Sequence, residues 1–317
     1  MGRVELMRRF PGMADDLWRR ADRSFPIRAT RSFLSRVRDP GDALGRQVLP
    51  SWSELEPTPG DVPDPVGDGQ RRPVPFVVQK HPDRALLLVT HRCHLYCRYC
   101  FRRDQVGEGE PSPAALDRAV AWLQTAGLRE VILSGGDPLV LSDRRLFNII
   151  DALRPTVPVI RVHSRAPITE PARVTPALVR GLRDRGPVWV IVHANHPDEL
   201  APDVVAALSR LVDAGVPVLN QSVLLQGVND DVDVLVTLCE RLVSLRVFPY
   251  YLHHTDPVPG NAAFRVPLER GLALHAALAR RVSGLALPRY VVDPPDGSGK
   301  IDAQVWAAQT STAIGSP

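Results

Sequence analysis

The chain has 317 residues, 44% of them hydrophobic and 23% charged, and a formal net charge of +4. These values fit a large soluble α/β domain and exclude a disordered or low-complexity chain. The N-terminal "MGRVELMRRF" lacks the apolar run of a signal peptide, and no stretch reaches the length of a membrane span, so a cytoplasmic protein with no membrane partner is expected.

Residues 1–76 read as short helices ("MADDLWRRADRSF", "RATRSFLSRV") followed by a loop rich in Pro and Gly, "EPTPGDVPDPVGDGQRRPVPF". From residue 77 to about 256 short apolar runs alternate with longer amphipathic segments. "ALLLVT", "EVILSGG", "PVIRVHSR", "VWVIVHA", "PVLNQSVLL" and "RVFPYYLHH" have the length of buried parallel strands, and segments such as "AALDRAVAWLQTAG" and "DVVAALSRLVDAG" have helical spacing. About six βα units of this kind give an α/β fold with an open parallel sheet or a barrel. Residues 257–317 add a last helix, a last strand "RYVVD" and the Gly-rich "DGSGK". The unusual polar residues fall where strands end, which is where such barrels gather their chemistry.

"HRCHLYCRYCFRR" carries three of the four cysteines, Cys93, Cys97 and Cys100; the fourth, Cys239, lies in a helical pattern and reads as core. Three bunched cysteines do not make a disulfide framework, and C-x3-C-x2-C with no second pair is not a zinc spacing. A four-iron cluster has four corners; three thiolates leave one iron open to a small molecule. The basic balance is as uneven as the cysteines. Of 39 Lys and Arg residues only Lys80 and Lys300 are lysine. A primary amine can form a Schiff base and a guanidinium cannot, so the two lysines are candidates for chemistry. The arginines are scattered in short runs, so the basic balance does not point to a nucleic-acid partner; anionic small molecules would also draw arginines to a pocket.

C-x3-C-x2-C after a first barrel strand resembles the radical S-adenosylmethionine (SAM) enzymes, whose [4Fe-4S] cluster binds SAM at the open iron; that resemblance implies a partial TIM-like barrel, (βα)6 in form. "SGGDPL" resembles that family's glycine motif, which places Gly135, Gly136 and Asp137 against the SAM amino group. "CRYCFRR", "SGGDPLVLSD", "VHANHPDE", "NQSVLLQGVND", "RVFPYYLHHTD" and "VVDPPDGSGK" together look like the lysine 2,3-aminomutase family, over about residues 79–300. That resemblance implies an isomerase that moves the α-amino group of L-lysine to the β-carbon through a pyridoxal phosphate (PLP) aldimine and a 5′-deoxyadenosyl radical. It implies Lys300 as the PLP lysine, Lys80 and Arg84 at the PLP phosphate, and Ser164, His193 and Gln221 in the SAM or PLP pocket. Lys80 stands where the family has an arginine. Arg102 matches the residue that grips the substrate carboxylate, and Asp256 and Asp293 match the pair that receives the distal ammonium. An acidic pair selects a distal cation, which arginine also carries. The chain ends 17 residues after Lys300, as in short members of the family that serve elongation factor P; metabolic or antibiotic pathways stay open. An electron donor such as flavodoxin or ferredoxin is implied, and a homo-oligomer is compatible.

Overall fold

The structure, a computed structural model, describes residues 1–106 and 109–314. Among the described residues nine strands form one sheet in the order of the chain. They are β1 Val77–His81, β2 Arg84–Thr90, β3 Glu130–Gly135, β4 Val159–His163, β5 Val188–Val192, β6 Val218–Val223, β7 Phe248–His253, β8 Arg289–Val292 and β9 Ile301–Asp302. Strands β2 to β8 are parallel, joined by six crossovers; β1 and β9 are antiparallel additions at the two ends. The expected six βα units are therefore present, as the half-barrel of an α/β fold.

Four helices precede the sheet: α1 Arg3–Arg9, α2 Asp15–Ser24, α3 Arg31–Leu34 and α4 Gly45–Val48. The crossovers carry α5 Pro113–Thr125, α6 Asp143–Leu153, α7 Ala166–Thr169, α8 Pro176–Asp184, α9 Pro202–Asp213, α10 Val232–Ser244 and α11 Leu268–Ala279, and α12 Ala303–Ile314 follows β9. Several of these start where the sequence supplies a side-chain cap. Ser112, Ser142, Thr175 and Asp231 each accept from a backbone N–H in the first turn of α5, α6, α8 and α10.

Strand alternation sorts core from cavity. On β3, Val131 and Leu133 sit in the main hydrophobic core with Leu116, Leu123, Leu146 and Ile150 of α5 and α6. Their neighbours Ile132 and Ser134 face the other way, into the cavity of the half-barrel. Cys239 is buried in the core between β7 and α11. The N-terminal helices make a separate apolar cluster around Trp18, Phe33 and Val48, and this cluster includes Leu95 of the cysteine loop. The two unforeseen strands are short. β1 buries only its first two residues and β9 has only two, too few for a period to show. Among the described residues no helix is long and apolar enough to cross a membrane.

Candidate active site

The cysteine loop leaves β2 and is pinned from below. Tyr96 N–H donates to the Arg28 carbonyl at 2.9 Å and Arg98 N–H to the Gln47 carbonyl at 2.8 Å. The Arg98 side chain is fully buried and forks onto Glu54, with Nε donating to Oε2 at 2.9 Å and Nη2 to Oε1, while Nη1 donates to the Phe25 and Pro26 carbonyls. Arg103 adds a 3.4 Å bond to the same Glu54. Arg165, just past β4, donates to Cys97 Sγ at 2.8 Å, to Gln47 Oε1 at 2.7 Å and to Glu199 Oε2 at 2.9 Å. The sequence reading missed Glu54, Arg98, Arg103, Arg165 and Glu199, because their partners lie far off in the chain.

The turn after β3 meets this loop at close range. A Cβ on Gly136 would sit 2.3 Å from the Arg92 carbonyl oxygen, so the contact requires glycine. Asp137 is buried, and both its carboxylate oxygens are committed within the protein: Ser164 Oγ donates at 2.6 Å, and the backbone N–H groups of Leu139, Arg165 and Ala166 each donate at 2.9 Å. Asp137 and Ser164 thus lock the β3 turn to the β4 turn. His193, after β5, lies 3.2 Å from both Tyr99 Oη and Asn195 Oδ1. Burial, then Arg165 and His253, hold its pKa well below the usual value, so the imidazole is neutral.

The opposite wall is built by β7, β8 and β9. Asp293 directly follows β8 and Lys300 directly precedes β9; because Val292 pairs with Ile301, the hairpin sets the two side by side. Lys300 Nζ lies 3.3 Å from Asp293 Oδ2 and 6.0 Å from the centre of the Tyr251 ring, with its side chain 37% exposed. Lys80, on β1, keeps a side chain only 9% exposed. Its Nζ lies 2.5 Å from the Val66 carbonyl, 3.1 Å from Asp68 Oδ1 and 3.3 Å from Asp293 Oδ1. Three acceptors match the three donors of an ammonium. Arg84 Nε lies 3.4 Å from Asp83 Oδ1, an ion-pair contact without hydrogen-bond geometry among the described residues. Asp256 follows β7; burial, then the charge of Asp293, raises its pKa to about 7. Arg102 donates to Asp68 Oδ2 from Nε at 3.1 Å and from Nη2 at 2.8 Å. Asp68 is a further residue the sequence reading missed, inside what looked like a plain loop.

All fifteen side chains and glycines singled out from the sequence line one cavity of about 480 Å³: Lys80, Arg84, Cys93, Cys97, Cys100, Arg102, Gly135, Gly136, Asp137, Ser164, His193, Gln221, Asp256, Asp293 and Lys300. That volume is of the order that binds a cofactor together with a small substrate.

The donor chemistry fits the expected groups. Three thiols face the cavity, and burial, then neighbouring cysteine charge, raises the Cys100 pKa to about 11, so a bound cation is needed to hold that residue as a thiolate. No three His, Cys, Asp or Glu side chains among the described residues make a ready site for one metal ion. A four-iron cluster asks for less convergence, since each thiolate takes a different iron. The Arg84 guanidinium and the amine of Lys300, both on the cavity wall, suit a phosphate and a carbonyl respectively.

Residues 87–239 match the profile of the radical SAM superfamily. The fold agrees: the crystal structure of Streptococcus suis SuiB bound to precursor peptide SuiA superimposes with a TM-score of 0.50, covering 67% of this chain and 49% of that one, at 12% identity. Fold and site together define a radical SAM enzyme, which takes a [4Fe-4S] cluster and SAM and acts on a small molecule. Sequence comparison narrows the class. L-lysine 2,3-aminomutase of Clostridium subterminale is 41% identical over 88% of this chain and 68% of its own length. A putative L-lysine 2,3-aminomutase of Treponema pallidum is 38% identical over 97% of this chain and 91% of its own. Glutamate 2,3-aminomutase of Clostridioides difficile is 35% identical over 82% and 62%. The chain belongs to the lysine 2,3-aminomutase family of PLP-dependent isomerases. It spans between 61% and 68% of the length of four longer relatives.

Proposed function

We propose that the chain converts L-lysine to β-lysine by moving the α-amino group to the β-carbon. The observation that carries the choice of substrate is the pair Asp256 and Asp293 facing the same cavity as Arg102 and Lys300. A relative that acts on glutamate shares the family, so family membership alone does not select lysine. A half-buried carboxylate pair favours a distal cation and rejects a distal carboxylate by like charge.

Cys93, Cys97 and Cys100 would hold the cluster. The backbone at Gly135 and Gly136, with Ser164, His193 and Gln221, would receive SAM. Lys300 would hold PLP, and Arg84 its phosphate; Lys80 joins Arg84 only by releasing one of its three acceptors. When bound, these groups supply a carbon-centred radical, a carbonyl that takes the amino group, and a π-system that spreads unpaired spin.

The chain's own residues do the positioning. Arg102 takes the α-carboxylate, Asp256 and Asp293 take the distal ammonium, and a substrate held at both ends has its β-carbon fixed for hydrogen transfer. His163 and His253 are kept neutral by burial, then by nearby cations, with His253 pushed down to about 3, so neither competes with the substrate as a cation. A one-electron donor of the flavodoxin or ferredoxin kind completes the cycle. A cytoplasmic setting, which keeps thiols reduced, suits the cysteine loop. A homo-oligomer is compatible with this reading.

The test is anaerobic incubation of protein loaded with cluster, PLP, SAM and dithionite with L-lysine, L-arginine or L-glutamate in separate vessels. β-Lysine as the dominant product is expected. A β-isomer of arginine or glutamate formed faster would overturn the substrate assignment.

A further inference from the structure

The loop before β1 contributes a buried carboxylate to which the reaction just described gives no task. Asp68 is 2% exposed and reaches the cavity wall beside Arg102. Burial acts to raise its pKa, but the charges of Arg102 and Lys80 outweigh that and hold it below the usual value.

A guanidinium has two donor edges, one from Nε and one Nη, the other from the two Nη groups. One oxygen, Asp68 Oδ2, accepts from both donors of the first edge. That fixes the direction in which the second edge points. On that edge Nη1 has a 3.5 Å contact with Ser134 Oγ, at the end of β3. An incoming carboxylate can therefore take the second edge without displacing Asp68.

Asp68 is also a link in a longer row. Its Oδ1 meets Lys80, Lys80 meets Asp293 Oδ1, and Asp293 Oδ2 meets Lys300. Signs alternate from Arg102 to Lys300, so each buried charge has a compensating neighbour. Backbone contacts hold the row in register. Arg71 donates to the Asp296 carbonyl at 2.9 Å, and a Cβ on Gly67, whose φ is +67°, would sit 2.4 Å from the Pro295 carbonyl oxygen.

We propose that Asp68 is a positioning residue for substrate binding: it turns the free edge of Arg102 toward the substrate's α-carboxylate and, through Lys80, fixes that grip relative to Asp293 at the other end of the site. The proposal rests on the reading of a basic amino acid substrate given above. It requires that Asp68 matter for ligands with an α-carboxylate and not for ligands without one.

Asp68→Asn keeps shape and one acceptor but removes the charge. Ligand binding to the enzyme loaded with cluster and PLP, without SAM so that no turnover occurs, is followed by the change in PLP absorbance. The two ligands are L-lysine and 1,5-diaminopentane, which is lysine without its carboxylate. The expected result is L-lysine binding weakened about 10- to 100-fold, the size of a lost charged hydrogen bond, with diamine binding within about twofold of the unsubstituted chain. In an Arg102→Ala background the same substitution is expected to add nothing. Equal weakening of both ligands, or a further loss in the Arg102→Ala background, would reduce Asp68 to structural support. Tighter L-lysine binding would show that Asp68 competes with substrate and would equally overturn the proposal.

If Asp68→Asn fails to retain iron, Lys80→Gln is measured on its PLP-loaded fraction. It is expected to shift the ratio of the two affinities the same way by a smaller factor, and an unchanged ratio overturns the proposal. Failure of the substrate reading looks different: the unsubstituted enzyme would form no β-lysine. If it isomerises L-arginine instead, the pair L-arginine and agmatine replaces lysine and the diamine, with the same expectations. If it isomerises neither, the proposal falls with the reading it rests on.

Discussion

The two walls of the cavity are built on different electrostatic plans. On the cysteine side every buried charge is answered inside the protein. Arg98 and Arg103 share Glu54, Arg165 has Glu199 and Gln47, and Asp137 has four donors. On the lysine side the account is left open. Asp256 sits beside Asp293 with its pKa raised to about 7, and Lys300, paired with Asp293, stands partly exposed over the Tyr251 ring. A carboxyl pushed toward its neutral form by burial and by a neighbouring carboxylate is a place where a cationic ligand supplies the missing opposite charge. One wall is therefore a holder and the other a receiver. Asp68 and Lys80 join them.

The sharpest way to break this comparison is to remove one side's chemistry and ask whether the other survives. Cys97→Ala is expected to bring bound iron to background and abolish SAM cleavage, while PLP still attaches at Lys300. Iron analysis and absorbance at about 420 nm, the band of PLP bound to an amine, check both halves. Lys300→Ala is the converse. The 420 nm band is lost and isomerisation falls by about 10³-fold or more, while iron content stays unchanged. If either substitution removed both cofactors, the walls would not be independent.

Arg98→Ala tests the holder. It leaves Glu54 buried with only the longer bond from Arg103, and removing one partner of a buried pair typically costs about 3–5 kcal/mol. A lower unfolding midpoint and weaker iron retention are expected, with PLP affinity per folded molecule unchanged.

The smallest effect concerns pH and sharpens the receiver. The Asp256 pKa of about 7 stands above its ordinary 3.8, so the fold favours the neutral acid. Stability is therefore expected to fall as pH rises between these two values and to level off above about 7. A substrate cation favours the carboxylate. Below pH ~7 binding must also expel a proton, so KM for L-lysine should rise by up to about tenfold per unit as pH falls, and flatten above 7. Asp256→Asn is expected to abolish both slopes. A KM profile that stays flat from pH 6 to 8 would show that Asp256 does not meet the ammonium.

Legibility in the sequence followed the range of the interactions. The βα alternation was readable because each strand and helix buries one face, which sets a local period. The cysteine triplet and "DGSGK" were readable because the chain has so few cysteines and lysines. Asp68 was not. It lies in a Pro- and Gly-rich stretch with no period, and its partners Lys80 and Arg102 are 12 and 34 residues away. Arg98, Arg102 and Arg103 look alike in "CRYCFRR", yet Arg102 turns into the cavity while the other two turn back to Glu54.

The sequence alone determined the run of βα units, the cysteine set and the single amine near the end of the chain, since these follow from local period and residue type. Tertiary structure alone decided which charges are answered within the protein and which are left for a ligand. Charge pairing depends on distance through space and on burial, and neither is written in the order of residues.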